Sequence, residues 1–214
     1  MTTRHASADS VEVAFDRSTV LLEVAIAAPV TAALWFAIYF LLPPLSGMAE
    51  PVARLVFALK CCCIAILFTF LTGIEAVAHE RLRSPAIDPL SGYETRRLRI
   101  NLRYLQHTLE QLILFIPGLL ALAVYCSDGS SMRAVVATAV VWILGRLAFW
   151  IGYHYGSQYR AAGAPGMLVA IVVLLYVCAR FGFEIGGPAG AAAPLVLFAV
   201  AEAILFRTTA PPRA

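Results

Sequence analysis

In the segment "RYLQHTLEQ", Arg103, His107 and Glu110 stand at i, i+4 and i+7, a spacing that stacks all three on one face of a helix. A second apolar segment, "GRLAFWIGYHYGSQYRAAG", places Arg146, Phe149, Tyr153 and Arg160 at i, i+3, i+7 and i+14, again one face if the helix is regular. Two polar stripes that face each other, with an ion pair between Glu110 and Arg146, are the expected consequence. A cavity between them, basic at its mouth, would suit an anionic ligand rich in carboxylates.

These charges are informative because of their surroundings. The chain of 214 residues is 61% hydrophobic and 14% charged, with a mean hydropathy of +0.81, a composition outside the range of soluble domains. It reads as an all-α integral membrane protein. An ionised side chain near the bilayer centre costs at least about 2.5 to 3.5 kcal/mol on insertion scales, so each charge within an apolar run needs a reason. Lys60 and Glu75 lie toward helix ends and can snorkel. Glu23 and Glu202 lie near the ends of the outermost helices, where solvation or simple pairing suffices.

About 20 apolar residues cross the hydrocarbon core, and the apolar runs, bounded by Pro, Gly or arginine clusters, divide into six spans: residues 19–42, 52–77, 103–125, 133–156, 166–183 and 188–206. Residues 78–102 form the one long loop and hold Arg81, Arg83, Arg96, Arg97 and Arg99. With both termini inside, Arg4, Arg17, these five, Arg103, Arg160, Arg207 and Arg213 fall on one side of the membrane. Arg54, Lys60, Arg133 and Arg180 fall in the other half. The excess marks the first side as cytoplasmic.

The net charge of +3 therefore reflects topology, and no nucleic-acid partner is expected. The first residues, "MTTRHASADSVEVAFDR", mix acids with bases and lead into a long apolar run without a clear cleavage site, so the first helix is read as retained. Cys61, Cys62 and Cys63 are contiguous within a span, with neither zinc spacing nor disulfide geometry, and read as small packing residues. The pairs Glu75/His79 and His107/Glu110 have spacings compatible with shared metal ligation. With four histidines in the chain and no His-rich motif, no metal is expected. A transporter would show internal repeats or broken helices at the midplane; no repeat is evident, and "FGFEIGGPAG" reads as a turn between the last two spans.

Two segments, "ERLRSPAIDPLSGYETRRLRINLRYLQHTLEQLILFIP" and "GRLAFWIGYHYGSQYRAAG", resemble the membrane-associated proteins in eicosanoid and glutathione metabolism, the MAPEG family. Arg103 and Glu110 match the arginine and glutamate of the family's first motif; Arg146, Gly152, Tyr153 and Arg160 match the second. The sequence departs from the pattern at His107, where asparagine is usual, and at Gln111, often tyrosine in the eicosanoid enzymes; "TLEQ" is similar to the bacterial branch. The resemblance covers roughly residues 55–180. It implies a four-helix unit with one extra transmembrane helix at each end, divided as residues 1–50, 51–183 and 184–214.

The resemblance further implies a homotrimer in a bacterial inner membrane, with glutathione bound as co-substrate between neighbouring subunits near the cytoplasmic face, and no metal. Arg103, His107 and Glu110 would hold its charged ends, Arg146 and Tyr153 would line the pocket, and Arg160 would face the thiol. Arg81 or Arg83 would reach in from the neighbouring chain. The implied activity is glutathione transferase or peroxidase, with a lipophilic electrophile arriving from the lipid past Phe149, Trp150 and Trp142. A non-catalytic relative or a small-molecule transporter is the alternative. The chemistry is physically reasonable: moving a thiol pKa from about 8.5 to about 6.5 requires ~2.7 kcal/mol, which one guanidinium at close range can supply.

Overall fold

The computed structural model describes residues 17–90 and 92–209. Arg4, His5 and Arg213, and the side chain of Arg17, lie outside the described residues. The described chain is all helix and turn: α1 (Arg17–Leu41), α2 (Pro51–Ile66), a π turn (Leu67–Leu71), α3 (Thr72–Leu82), a 3-10 turn (Pro85–Ile87), α4 (Arg96–Tyr125), α5 (Arg133–Tyr155), a second 3-10 turn (Tyr159–Gly163) and α6 (Ala164–Thr208). Five continuous helical stretches are long and apolar enough to cross a membrane, with α2, the π turn and α3 forming one of them. Large apolar side chains such as Leu21, Phe40, Ile113 and Phe206 lie on the outside, as expected where the solvent is lipid.

The last stretch accounts for the sixth span. Helical dihedrals break at Gly186 and Gly187, the latter at φ +59°, a backbone conformation open to glycine. In a straight helix residues 182 and 190 would be ~12 Å apart. Here a methyl added to Gly190 would lie 2.1 Å from the Gly182 carbonyl oxygen, so the chain doubles back on a seam of small residues. The arm after the break is exposed along almost its whole length.

The core sits between α2, α4, α5 and the first half of α6. Ala58, Cys62 and Ala65 give α2 a small face that admits Leu112, Phe115, Leu119 and Leu122 of α4, and Phe115 stacks on Trp142 of α5 at 4.3 Å. Cys62 is thus a packing residue, whereas Cys63 lies outside. At the π turn the Thr69 carbonyl accepts from the buried Tyr104 hydroxyl at 3.0 Å as well as from the Thr72 amide and hydroxyl.

The arginine-rich segment is less of a loop than its charge implied. Helix α3 runs on to Leu82 and α4 begins at Arg96, so only residues 83–95 connect them. Thr95 caps α4 by accepting from the Leu98 amide, and Leu98 and Ile100 are buried, so the first turns of α4 are amphipathic and pack. Arg97 pairs with Glu80 at 2.7 Å and fastens the two helix ends. At the opposite end the buried Arg54 donates to the carbonyls of Met48, Ala49 and Ser127. There Ser131 donates to Asp128 through its amide and its hydroxyl, holding that carboxyl below its ordinary range.

Candidate functional site

Helix α4 presents two distinct faces near its start. Leu98, Asn101, Tyr104, Thr108, Leu112 and Phe115 follow the three- and four-residue spacing of a helical stripe and are all buried. Arg103, Gln106 and Glu110 lie on the opposite side and are exposed, with His107 at the flank. They are joined in a string: Arg103 donates to Gln106 at 3.1 Å, Gln106 donates to Glu110 at 3.2 Å, and His107 Nδ1 meets the other Glu110 oxygen at 3.2 Å. The predicted single face for Arg103, His107 and Glu110 is present, and it points away from the protein's own core.

Arg146 goes to the other side of α4, and the expected ion pair with Glu110 is not formed. Its side chain is fully buried, donates to the Thr108 hydroxyl at 2.8 Å, contacts the Met167 sulfur at 2.6 Å, and stacks against the rings of Phe149 and Tyr104. Tyr104 in turn stacks on Trp150 at 4.6 Å. The cation is therefore held by two ring faces, a hydroxyl and a sulfur, the soft and polarisable partners that suit a weakly hydrated guanidinium. Its Nε finds no acceptor among the described residues.

Arg160 reaches the site by a route different from helix periodicity. Helix α5 ends at Tyr155, and the chain turns back through the 3-10 segment, so Arg160 is not in register with Arg146. The turn is seated on α5 by close backbone approach: a methyl on Gly152 would lie 2.1 Å from the Tyr159 carbonyl oxygen, and one on Gly163 would lie 2.3 Å from the Gly145 carbonyl oxygen. This return brings Arg160 over the ring of Tyr153, which itself packs edge-on against Phe149. Arg160, His107, Gln111, Phe149 and Met167 then line a cavity of about 240 Å³. Among the described residues no carboxylate lies within ion-pair distance of Arg160, and the buried Gln111 Oε1 has no hydrogen-bond donor.

The structure thus gathers His107 and Arg160 at one cavity, with Tyr153 beneath the Arg160 guanidinium but outside the lining, Arg103 and Glu110 continuing outward, and Arg146 behind the Phe149 and Met167 wall. Arg83 lines a separate cavity of about 340 Å³ with His79, Glu80, Ser84 and Arg97, and neither it nor Arg81 enters the Arg160 cavity of the same chain. Of the three aromatics expected as a wall, Phe149 alone lines the cavity. Trp142 is sealed in the core, and Trp150 turns inward to donate to the buried Asn101 at 2.9 Å, an acceptor shared with His154. Among the described residues no three metal-ligating side chains come together.

Thr108 and Met167 are absent from the sequence reading, which names Gln111 only as a departure from the family pattern and gives it no role in the site. Thr108 and Asn101 could have been found, because each interrupts the buried stripe of α4 with a polar group. Met167 carries no such signal, since its contact with Arg146 depends on how α6 lies across α5.

A family model, the MAPEG family, matches residues 55–183, more than half of the chain. The chain belongs to the MAPEG family. The match begins in α2 and ends just before the Gly186 break, leaving α1 and the last arm outside it. A stretch of 75 residues is 35% identical to the uncharacterized protein sll1147 of Synechocystis sp., covering 35% of this MAPEG chain and 52% of that protein. The matched stretch thus spans about half the length of that relative. No solved structure matches the chain.

Proposed function

We propose that this MAPEG protein binds glutathione at the Arg160 cavity and activates its thiol as thiolate for attack on a lipophilic electrophile. The observation that carries this reading is an arginine with no counter-ion among the described residues, in a cavity that opens beside an outward-facing polar string. In a bilayer, Arg103, Gln106, His107 and Glu110 cannot profitably face hydrocarbon. A second subunit packed against this face would enclose them, which supports a homotrimer with glutathione between subunits, and Arg81 or Arg83 of a neighbour is then a further candidate cationic contact.

In that arrangement the α4 string holds the tripeptide's charged ends, because arginine complements its carboxylates and Glu110 complements its ammonium. The Gln111 oxygen offers an acceptor for an amide N–H. Arg160 faces the thiol. Tyr153, beneath the guanidinium, keeps it over the cavity and limits its hydration. With the thiol's proton already lost to solvent, the thiolate sulfur attacks the electrophilic centre, an S–C bond forms, and the leaving group departs with its bonding pair. With a peroxide the sulfur attacks oxygen, an S–O bond forms as the O–O bond breaks, the alkoxide takes a proton from solvent, and a second glutathione reduces the sulfenic acid to the disulfide with release of water. The basic end, where Arg96, Arg97, Arg99 and Arg160 cluster, is assigned to the cytoplasm by the positive-inside rule.

The purified protein, sized in detergent and then titrated with glutathione, should run as a trimer and develop ultraviolet thiolate absorbance at neutral pH. Arg160→Ala should lose most of that absorbance, the stabilisation at stake being ~2.7 kcal/mol. A wild-type protein that neither binds glutathione by calorimetry nor gives the thiolate band would sink the reading and favour a non-catalytic MAPEG protein.

A further inference from the structure

The turn that carries Arg160 is held from two sides. From α5 it is seated by the Gly152 and Gly145 contacts described above. From the other side it is met by α1, whose Glu23 accepts a hydrogen bond from the Ala162 amide at 3.2 Å, across 139 residues of sequence. The hydrogen-bonded turns at Tyr159 and Ala161 are closed by the carbonyls of Gly156 and Gln158, so the Glu23 carboxylate serves an amide in the first turns leading into α6. That position also lies at the positive end of the helix dipole, where an anion is favourable.

Helix α1 lies outside the matched four-helix unit. We infer that Glu23 is a positioning residue: through the Ala162 amide it fixes the 3-10 turn so that Arg160, two residues earlier, points over Tyr153 into the cavity. This inference rests on the glutathione reading for its chemistry, while the clamp itself rests on geometry alone. Its logic is steric as much as electrostatic. A short 3-10 turn has few internal hydrogen bonds to hold it, and a guanidinium displaced by about 1 Å from a thiolate loses much of its effect. The additional first helix would then set the acidity of a bound thiol without touching it.

The test compares Glu23→Ala with Glu23→Gln in the full chain, reading the pH midpoint of thiolate formation by bound glutathione and hydrogen exchange across residues 159–163. Glu23→Ala should raise the midpoint by about one pH unit, from about 6.5 to about 7.5, roughly a threefold loss of thiolate at about pH 7, with a smaller change in glutathione affinity. Amides 159–163 should exchange faster while the α4 core stays protected. Glu23→Gln keeps an acceptor oxygen and should restore both readouts. An unchanged midpoint together with unchanged exchange in Glu23→Ala overturns the inference, as does failure of Glu23→Gln to restore either readout. If wild-type protein gives no thiolate band, the glutathione reading falls, and the exchange result still decides whether the clamp exists.

Discussion

At the level of single residues, the informative contrast is between the two arginines of the second motif. Arg146 is fully buried and held by a hydroxyl, a sulfur and two rings, whereas Arg160 lies at a cavity wall with no carboxylate partner among the described residues. Arg146 therefore organises the α4–α5–α6 contact, and Arg160 is the cation free to meet a ligand. Thr108 is the most direct partner of Arg146, and it also donates to the Tyr104 carbonyl at 2.7 Å. Thr108→Val keeps the shape but removes the acceptor, leaving a buried guanidinium nitrogen unpaired. Unfolding in mixed detergent micelles should show a loss of about 1–3 kcal/mol; an unchanged midpoint would mean that the ring faces alone hold the cation.

Among the elements, the second 3-10 turn decides whether the site exists. A polar stripe on α5 predicted Arg160 by continuing a helix, and the residue does arrive near Phe149 and Tyr153, but through a reversal after Tyr155. The reversal is possible because Gly152 lets the Tyr159 carbonyl come close. Gly152→Ala puts a methyl into that carbonyl, and overpacking of this kind costs about 1–3 kcal/mol. The turn should shift, so the variant should lose thermal stability and thiolate absorbance together. Gly186→Ala, where a methyl meets nothing within 4 Å, is the control and should retain both. The Glu23 clamp acts on the same turn from the opposite side, which makes the two substitutions strongly non-additive if both are correct.

For the molecule as a whole, the two flanking helices differ in kind. Helix α1 donates from Trp35 to Thr138 of α5 at 3.1 Å and accepts at Glu23 from the Arg160 turn. The arm after Gly187 contributes nothing to the buried core. A chain ending at residue 185 should therefore still fold and give the thiolate band, whereas removal of residues 1–45 should abolish the band and lower stability. Equal loss in both would show that the last arm supports the assembly through contacts between subunits.

The membrane class, the family and the outward stripe of α4 were all legible in the amino-acid order. They follow from hydropathy and helical spacing, which act locally and survive without knowledge of neighbours. The Arg146–Glu110 pair failed because spacing places both residues on helices but does not fix helix rotation; packing of Tyr104, Thr108 and Met167 turned Arg146 inward. The arginine-rich loop shrank because its charges mask the buried Leu98 and Ile100, and the Thr95 cap extends α4 into it. Sequence by itself thus determined which residues could serve a membrane site for an anionic ligand. Only the tertiary structure decided which guanidinium is caged and which is free, because that depends on backbone approach at Gly152 and on a carboxylate 139 residues from the amide it receives.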